Sequence, residues 1–148
     1  MGFDASLGAF DISASGLSAE RFRMEIVANN IANASVTRTP EGGPYRRKEV
    51  VFETALKQTG LLHGSTSTLS NLAGVRVVEV TDDRSEMPRV FDRGHPDADA
   101  DGFVTMPNVQ LPIEMVNLIT ATRAYEANLK AAQAFVEMNQ QALSLVRG

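Results

Sequence analysis

From Leu111 to Val146 the chain carries Leu111, Met115, Leu118, Thr122, Tyr125, Leu129, Ala132, Val136, Asn139, Leu143 and Val146 at alternating spacings of four and three. A period of 3.5 held for about five heptads leaves little choice but a long helix running beside another helix. Pro112 suits the first turn, where its missing N–H is no loss, and Glu114 complements the positive end of the helix dipole. The helix is expected to reach about Arg147, on the order of 50 Å at 1.5 Å per residue. Beside the main seam runs a second stripe of small residues, Ala124, Ala127, Ala131 and Ala134, continuing through Met138.

A partner stripe opens the chain: Leu7, Phe10, Ala14, Leu17, Met24, Ala28 and Ile31 share one register, broken only by Arg21. This predicts a helix over residues 4 to about 33, begun by Asp4 or Ser6, whose side-chain oxygens can accept from free first-turn amides. Gly16 inside it costs about 1 kcal/mol relative to alanine, which points to a neighbouring backbone passing close by. The two terminal helices are expected to pair as a coiled coil. One helix of this length cannot be covered by the shorter one, and two adjacent apolar faces exceed what a single partner needs. Other subunits are the natural cover.

Between the helices the composition changes. Thr39-Pro40 and Gly42-Gly43-Pro44 break the first helix pattern. Tyr45–Glu53, Gly74–Val80, Arg89–Asp92 and Gly102–Met106 are short stretches rich in Val, Phe and Thr, read as strands of a small β subdomain. The Gly, Ser, Thr and Asn of residues 58–74 have little to bury and are expected to form a mobile loop. The fold class that results is mainly α with a small β subdomain (α+β). Its parts are a helical assembly segment over 1–35, a β-rich middle over 36–107 and the long helix within 108–148.

Charge and composition remove several functions. A formal charge of −4 argues against a nucleic-acid partner, which needs a basic face to displace counterions. The one dense basic run, Arg46-Arg47-Lys48, reads as a solvated strand edge. The chain has no cysteine, which excludes disulfides and thiolate chemistry. No apolar run approaches the roughly 20 residues of a membrane span, and Asp4 stands where a Sec-type signal would be basic. Asp97, Asp99, Asp101 and Gly102 imitate the start of a calcium loop, but Asn108 replaces the closing glutamate and Pro96 and Pro107 replace the flanking helices. His95, in Gly94-His95-Pro96, reads as a turn histidine bonded to backbone. With no phosphate loop, nucleophile pair or metal triad, no catalytic, cofactor or metal residue and no small-molecule substrate is expected.

Ala28-Asn29-Asn30-Ile31-Ala32-Asn33, preceded by Ser15-Gly16-Leu17 and followed by Ser35 and Thr37, resembles the N-terminal signature of the axial proteins of the bacterial flagellum. Asn108-Val109, Glu114-Met115-Val116-Asn117 and Arg123-Ala124-Tyr125-Glu126-Ala127-Asn128 resemble its C-terminal counterpart. Gly43-Pro44-Tyr45-Arg46 and Gly94-His95-Pro96-Asp97-Ala98-Asp99 place the resemblance closest to the flagellar basal-body rod protein family.

The resemblance implies a structural subunit of the proximal rod, the drive shaft that crosses the periplasm from motor to hook. Its implied partners are copies of itself, other rod proteins and the flagellar type III export apparatus. The expected interface comprises Leu7, Phe10, Leu17, Met24, Ala28, Asn29, Asn30, Ile31 and Asn33 at one end. At the other it comprises Leu111, Met115, Leu118, Thr122, Tyr125, Leu129, Ala132, Val136, Asn139 and Leu143. Two alternatives remain open here: another axial or export-linked adaptor protein, and a small calcium-responsive coiled-coil binder.

Overall fold

The computed structural model describes residues 2–56 and 72–147. Its elements are α1 (Gly2–Ala32), β1 (Lys48–Leu56), β2 (Leu72–Asp82), β3 (Arg89–Phe91), β4 (Phe103–Thr105) and α2 (Leu111–Arg147). The fold is therefore α+β, with two long helices enclosing four strands in sequence. α2 spans 37 residues with Pro112 in its first turn. The loop expected over 58–74 lies, up to residue 71, outside the described residues, and from Leu72 the chain is already β2.

The strands form two separate two-stranded sheets, β1 with β2 and β3 with β4. β3 and β4 run antiparallel with Arg89 opposite Thr105 and Phe91 opposite Phe103. β1 begins three residues after Tyr45 because the preceding amides have other acceptors. Tyr45 N–H donates to the Val36 carbonyl at 2.9 Å, and Arg47 N–H to Asn108 Oδ1 at 2.8 Å.

The chain divides into two compact units, each drawing on both helices. The first comprises Met1–Phe22, Phe52–Val78 and Ala121–Gly148, the second Arg23–Val51 and Glu79–Thr120. In the first unit, Ser15 Oγ donates to the Ile12 carbonyl at 2.7 Å and accepts from Val75 N–H at 3.0 Å, fastening β2 to α1. Gly16 also lies in this unit, where Asn128 Nδ2 comes within 2.8 Å of the place a Cβ would occupy. The close neighbour anticipated at Gly16 is thus a side chain of α2 and not a backbone.

In the second unit the acidic turn is closed on itself. Asp99 Oδ1 accepts from Asp101 N–H at 3.0 Å and Phe103 N–H at 2.8 Å, its other oxygen pairs with Arg89, and Gly102 adopts φ 84°. The Phe103 amide leads in holding the Asp99 carboxyl below its usual range. Asp97 accepts from Thr37 Oγ1 at 2.8 Å, and His95 Nδ1 accepts from Asp97 N–H at 3.1 Å, the backbone bond expected of a turn histidine. The carboxylates of Asp99 and Asp97 thus each take protein donors, Asp99 within the turn and from Arg89, Asp97 from Thr37.

Buried apolar side chains are small: Ala19, Val27, Val104, Ala121 and Ala132 are the ones found among the described residues. Large apolar side chains lie outside instead, among them Met115, Val116, Ile119, Met138 and Leu143, each more than half exposed. A folded monomer that hides alanine and shows methionine leaves much of its hydrophobic surface in water.

Candidate assembly surfaces and the polar junction beneath them

The covered stripe of α2 consists of Glu114, Leu118, Ala121, Tyr125, Asn128, Ala132, Phe135 and Asn139, all buried or half-buried. It shares Leu118, Tyr125, Ala132 and Asn139 with the apolar seam read from the sequence, and Thr122 is also half-covered. Of the remaining seam residues, Leu111, Met115, Leu129, Val136 and Leu143 are 39–53% exposed, and the side chain of Val146 lies outside the described set. The face turned inward is thus rotated by part of a turn from the most hydrophobic one. On α1, Leu17, Met24 and Ile31 are half-buried, as is Asn33 in the turn just beyond it, while Phe10, Ala28 and Asn29 are exposed. The side chain of Leu7 lies outside the described set. Asn29 Nδ2 donates to the Glu25 carbonyl at 3.0 Å and Asn33 Nδ2 to the Asn29 carbonyl at 2.8 Å, so both amides finish their own helix.

Asn30 behaves differently. It is fully buried, and its amide is engaged wholly within the chain. Nδ2 donates to the Lys48 carbonyl at 2.9 Å and to Glu114 Oε2 at 3.0 Å, while Oδ1 accepts from Lys48 N–H and from Tyr45 Oη, each at 2.9 Å. An asparagine amide with two donors and one carbonyl oxygen is saturated by such a set. Asn30, expected among the interface residues, therefore ties the end of α1 to the start of β1 and the first turn of α2.

Glu114 is the other half of this junction, with no exposed side-chain surface. Its Oε1 accepts from Arg47 Nε at 2.8 Å and from Asn117 Nδ2 at 3.2 Å, and its Oε2 from Asn30. Arg47 also pairs with Glu49 and with Asp83 Oδ2, the latter at 3.3 Å. Asn108 completes the ring, accepting from Arg47 N–H and donating to the Asp83 carbonyl at 3.1 Å and Ser85 Oγ at 2.9 Å.

The basic run is thus no uniform solvated edge. Lys48 is exposed, but the Arg47 side chain is only 17% exposed and ion-paired. Burial alone would lower the Arg47 pKa, but Glu114 and Glu49 overcome it and hold the guanidinium charged beyond its usual range. Ser85 N–H leads in keeping the Asp83 carboxyl below normal, with Arg47 assisting. The hydropathy pattern misses Glu114, Arg47, Asn108 and Tyr45.

Tyr45 provides a readout of the junction. Burial first, then Asp82 and Glu114, push its phenol above the ordinary tyrosine value. The unfolded chain then ionises at lower pH than the folded one, so the phenol's contribution is intact below about pH 10 and is lost as pH rises beyond it. Urea midpoints at pH 9 and 11 should fall further for the native protein than for Tyr45→Phe. Equal falls would mean that the phenol is not held in the junction.

No helix among the described residues is long and apolar enough to cross a membrane. Residues 10–38 match the family described as flagella basal body rod protein, and residues 100–145 match flagellar basal body rod FlgEFG protein C-terminal. The two matches fall on the α1 signature with the turn that follows it and on β4 with all but the end of α2. The chain is 37% identical over 147 residues to the flagellar basal-body rod protein FlgC of Borreliella burgdorferi, covering 95% of this chain and 97% of that one. It is 42% identical to the protein of the same name from Yersinia enterocolitica, covering 94% of this chain and 96% of the relative. For the Bacillus subtilis protein of the same name the identity is 39%, with 93% and 95% covered.

Proposed function

The chain belongs to the flagellar basal-body rod protein family, and from that premise we propose that its terminal helices pair as an antiparallel coiled coil and carry it into a helical shaft. It is a structural subunit of the basal-body rod, assembling with other rod components. In the proposed mechanism each copy closes the covered stripe of α2 on its own α1 and offers the uncovered remainder to neighbours. Such contacts are heterologous: one patch meets a different patch on the next copy, and the rotation continues as a helix instead of closing. The product is a proximal rod segment that crosses the periplasm and passes torque from motor to hook through packed surface. Export of the subunit by the flagellar type III apparatus belongs to the same reading.

The observation that carries it is the uncovered half of the seam. Leu111, Met115, Leu129, Val136 and Leu143 keep heptad spacing yet remain exposed, an arrangement costly for a monomer and suited to a polymer. Coiled-coil pairing is supported by two contacts, each within its own unit. Gly16 seats Asn128 and Asn30 bonds Glu114, and these partners stand two heptads apart on each helix.

The experiment is Leu129→Asp and Val136→Asp, both at exposed positions where a charge leaves the monomer fold alone. Each should abolish incorporation into basal bodies and swimming, while the thermal midpoint of the purified protein moves by less than about 3 °C. Normal flagella in both variants would sink the reading.

A further inference from the structure

In the first unit an open groove of about 410 Å³ lies between α1 and β2. Its walls are Ser18, Ala19 and Phe22 on one side and Val75, Arg76 and Val77 on the other. It is mainly apolar and sits beside the Ser15 fastening that holds the strand to the helix. Water filling such a groove gains few hydrogen bonds, so an apolar side chain from outside would be preferred. Arg76 is its single charged wall, 67% exposed and paired at 2.9 Å with Glu53, itself 56% exposed.

The same chain carries a surface that matches this groove. The small-residue stripe of α2 ends on two large side chains a heptad apart, Met138 at 56% and Leu145 at 84% exposure. Between Ala131 and Leu145 the sole charged residue is Glu137, also exposed, beside the first of the two. The Arg76–Glu53 pair is exposed and therefore weak, so Arg76 is able to exchange or share that carboxylate with one brought in by an apolar ridge, and Glu137 beside Met138 supplies one.

We propose that this groove receives Met138 and Leu145 of a second copy, with Glu137 of that copy directed toward Arg76. The inference rests on the assembly reading above and names one of its contacts. Groove and ridge are different patches of one chain, so the contact is heterologous and propagates from copy to copy. α1 and β2 together form the receiving surface, which explains why the strand is fastened to the helix at Ser15 instead of standing free.

The chain's lack of cysteine permits a direct test. A Ser18→Cys copy and a Met138→Cys copy, both at exposed positions, are co-expressed in a flagellated host deprived of its own copy of the protein. Oxidised basal bodies are then analysed for disulfide-linked dimers. The expected yield is at least about tenfold above that of Ser18→Cys with Glu126→Cys, an exposed position away from the ridge. Adding Arg76→Glu to the first copy should cut the yield severalfold, and Glu137→Arg in the second should restore it. Basal bodies that contain both copies but give no excess of cross-link would overturn the groove assignment and leave the rod reading standing. Absence of both copies from basal bodies, although each folds when purified, would overturn both.

Discussion

Replacing Glu114 by alanine is expected to lower the unfolding free energy by about 3–5 kcal/mol, a large share of the roughly 5–15 kcal/mol of an ordinary domain. The carboxylate has no exposed surface and accepts from Arg47, Asn30 and Asn117. Its removal leaves Arg47 Nε and one Asn30 donor without their acceptor in a place that water reaches poorly. An exposed ion pair would cost under about 1 kcal/mol, so the size of the loss distinguishes a buried junction from a decorative one.

The control is the pair Glu114→Met with Arg47→Met. Removing both charges removes the uncompensated one, and the double variant should recover at least half of the loss from Glu114→Ala. Urea denaturation followed by circular dichroism measures both. A loss below 1 kcal/mol for Glu114→Ala would mean that the junction does not hold the start of α2.

Much of this architecture is legible in the sequence, and the exceptions have a common cause. The helices are written in local periodicity, so α1 and α2 lie within two or three residues of where the 3.5-residue repeat and Pro112 put them. The four strands appear near their Val- and Phe-rich stretches. Their division into two sheets is a matter of pairing at a distance, which composition does not encode. The acidic turn is legible because Asp99 and Gly102 act within five residues of each other.

The polar junction is not legible, because each member has a plausible local role. Glu114 looks like a dipole partner, Arg47 like part of a basic edge and Asn30 like one more asparagine of an outward interface. Only the fold brings residues 30, 47, 83, 108 and 114 together. The rotation of the covered stripe has the same origin. A hydropathy pattern selects Leu111, Met115 and Leu129 as core, whereas the fold turns Glu114, Ala121 and Asn128 inward. Glu114 has donors built around it in Arg47, Asn30 and Asn117, and Asn128 has a glycine to lie against. The most hydrophobic face remains outside, the arrangement on which the proposed assembly rests.

Gly74→Ala should be the second large loss, about 2–5 kcal/mol, and its two components can be separated. Gly74 is buried with φ 106°, in the left-handed half of conformational space where an L residue costs about 1–2 kcal/mol. A Cβ there would overlap Ser15 Oγ and lie 2.9 Å from Ser15 Cβ, with the Ile12 Cα at 3.4 Å. In a Ser15→Gly background the overlap disappears and only the conformational cost remains, so the penalty of Gly74→Ala should shrink to about 1–2 kcal/mol. Ser15→Ala should give an intermediate value, since it removes the hydroxyl and keeps the Cβ. If the penalty is the same in all three backgrounds, β2 does not rest on Ser15, and the groove beside it loses its wall. A graded series would instead establish the serine and glycine as the point that fixes strand to helix, leaving the groove's shape independent of whether a neighbour fills it.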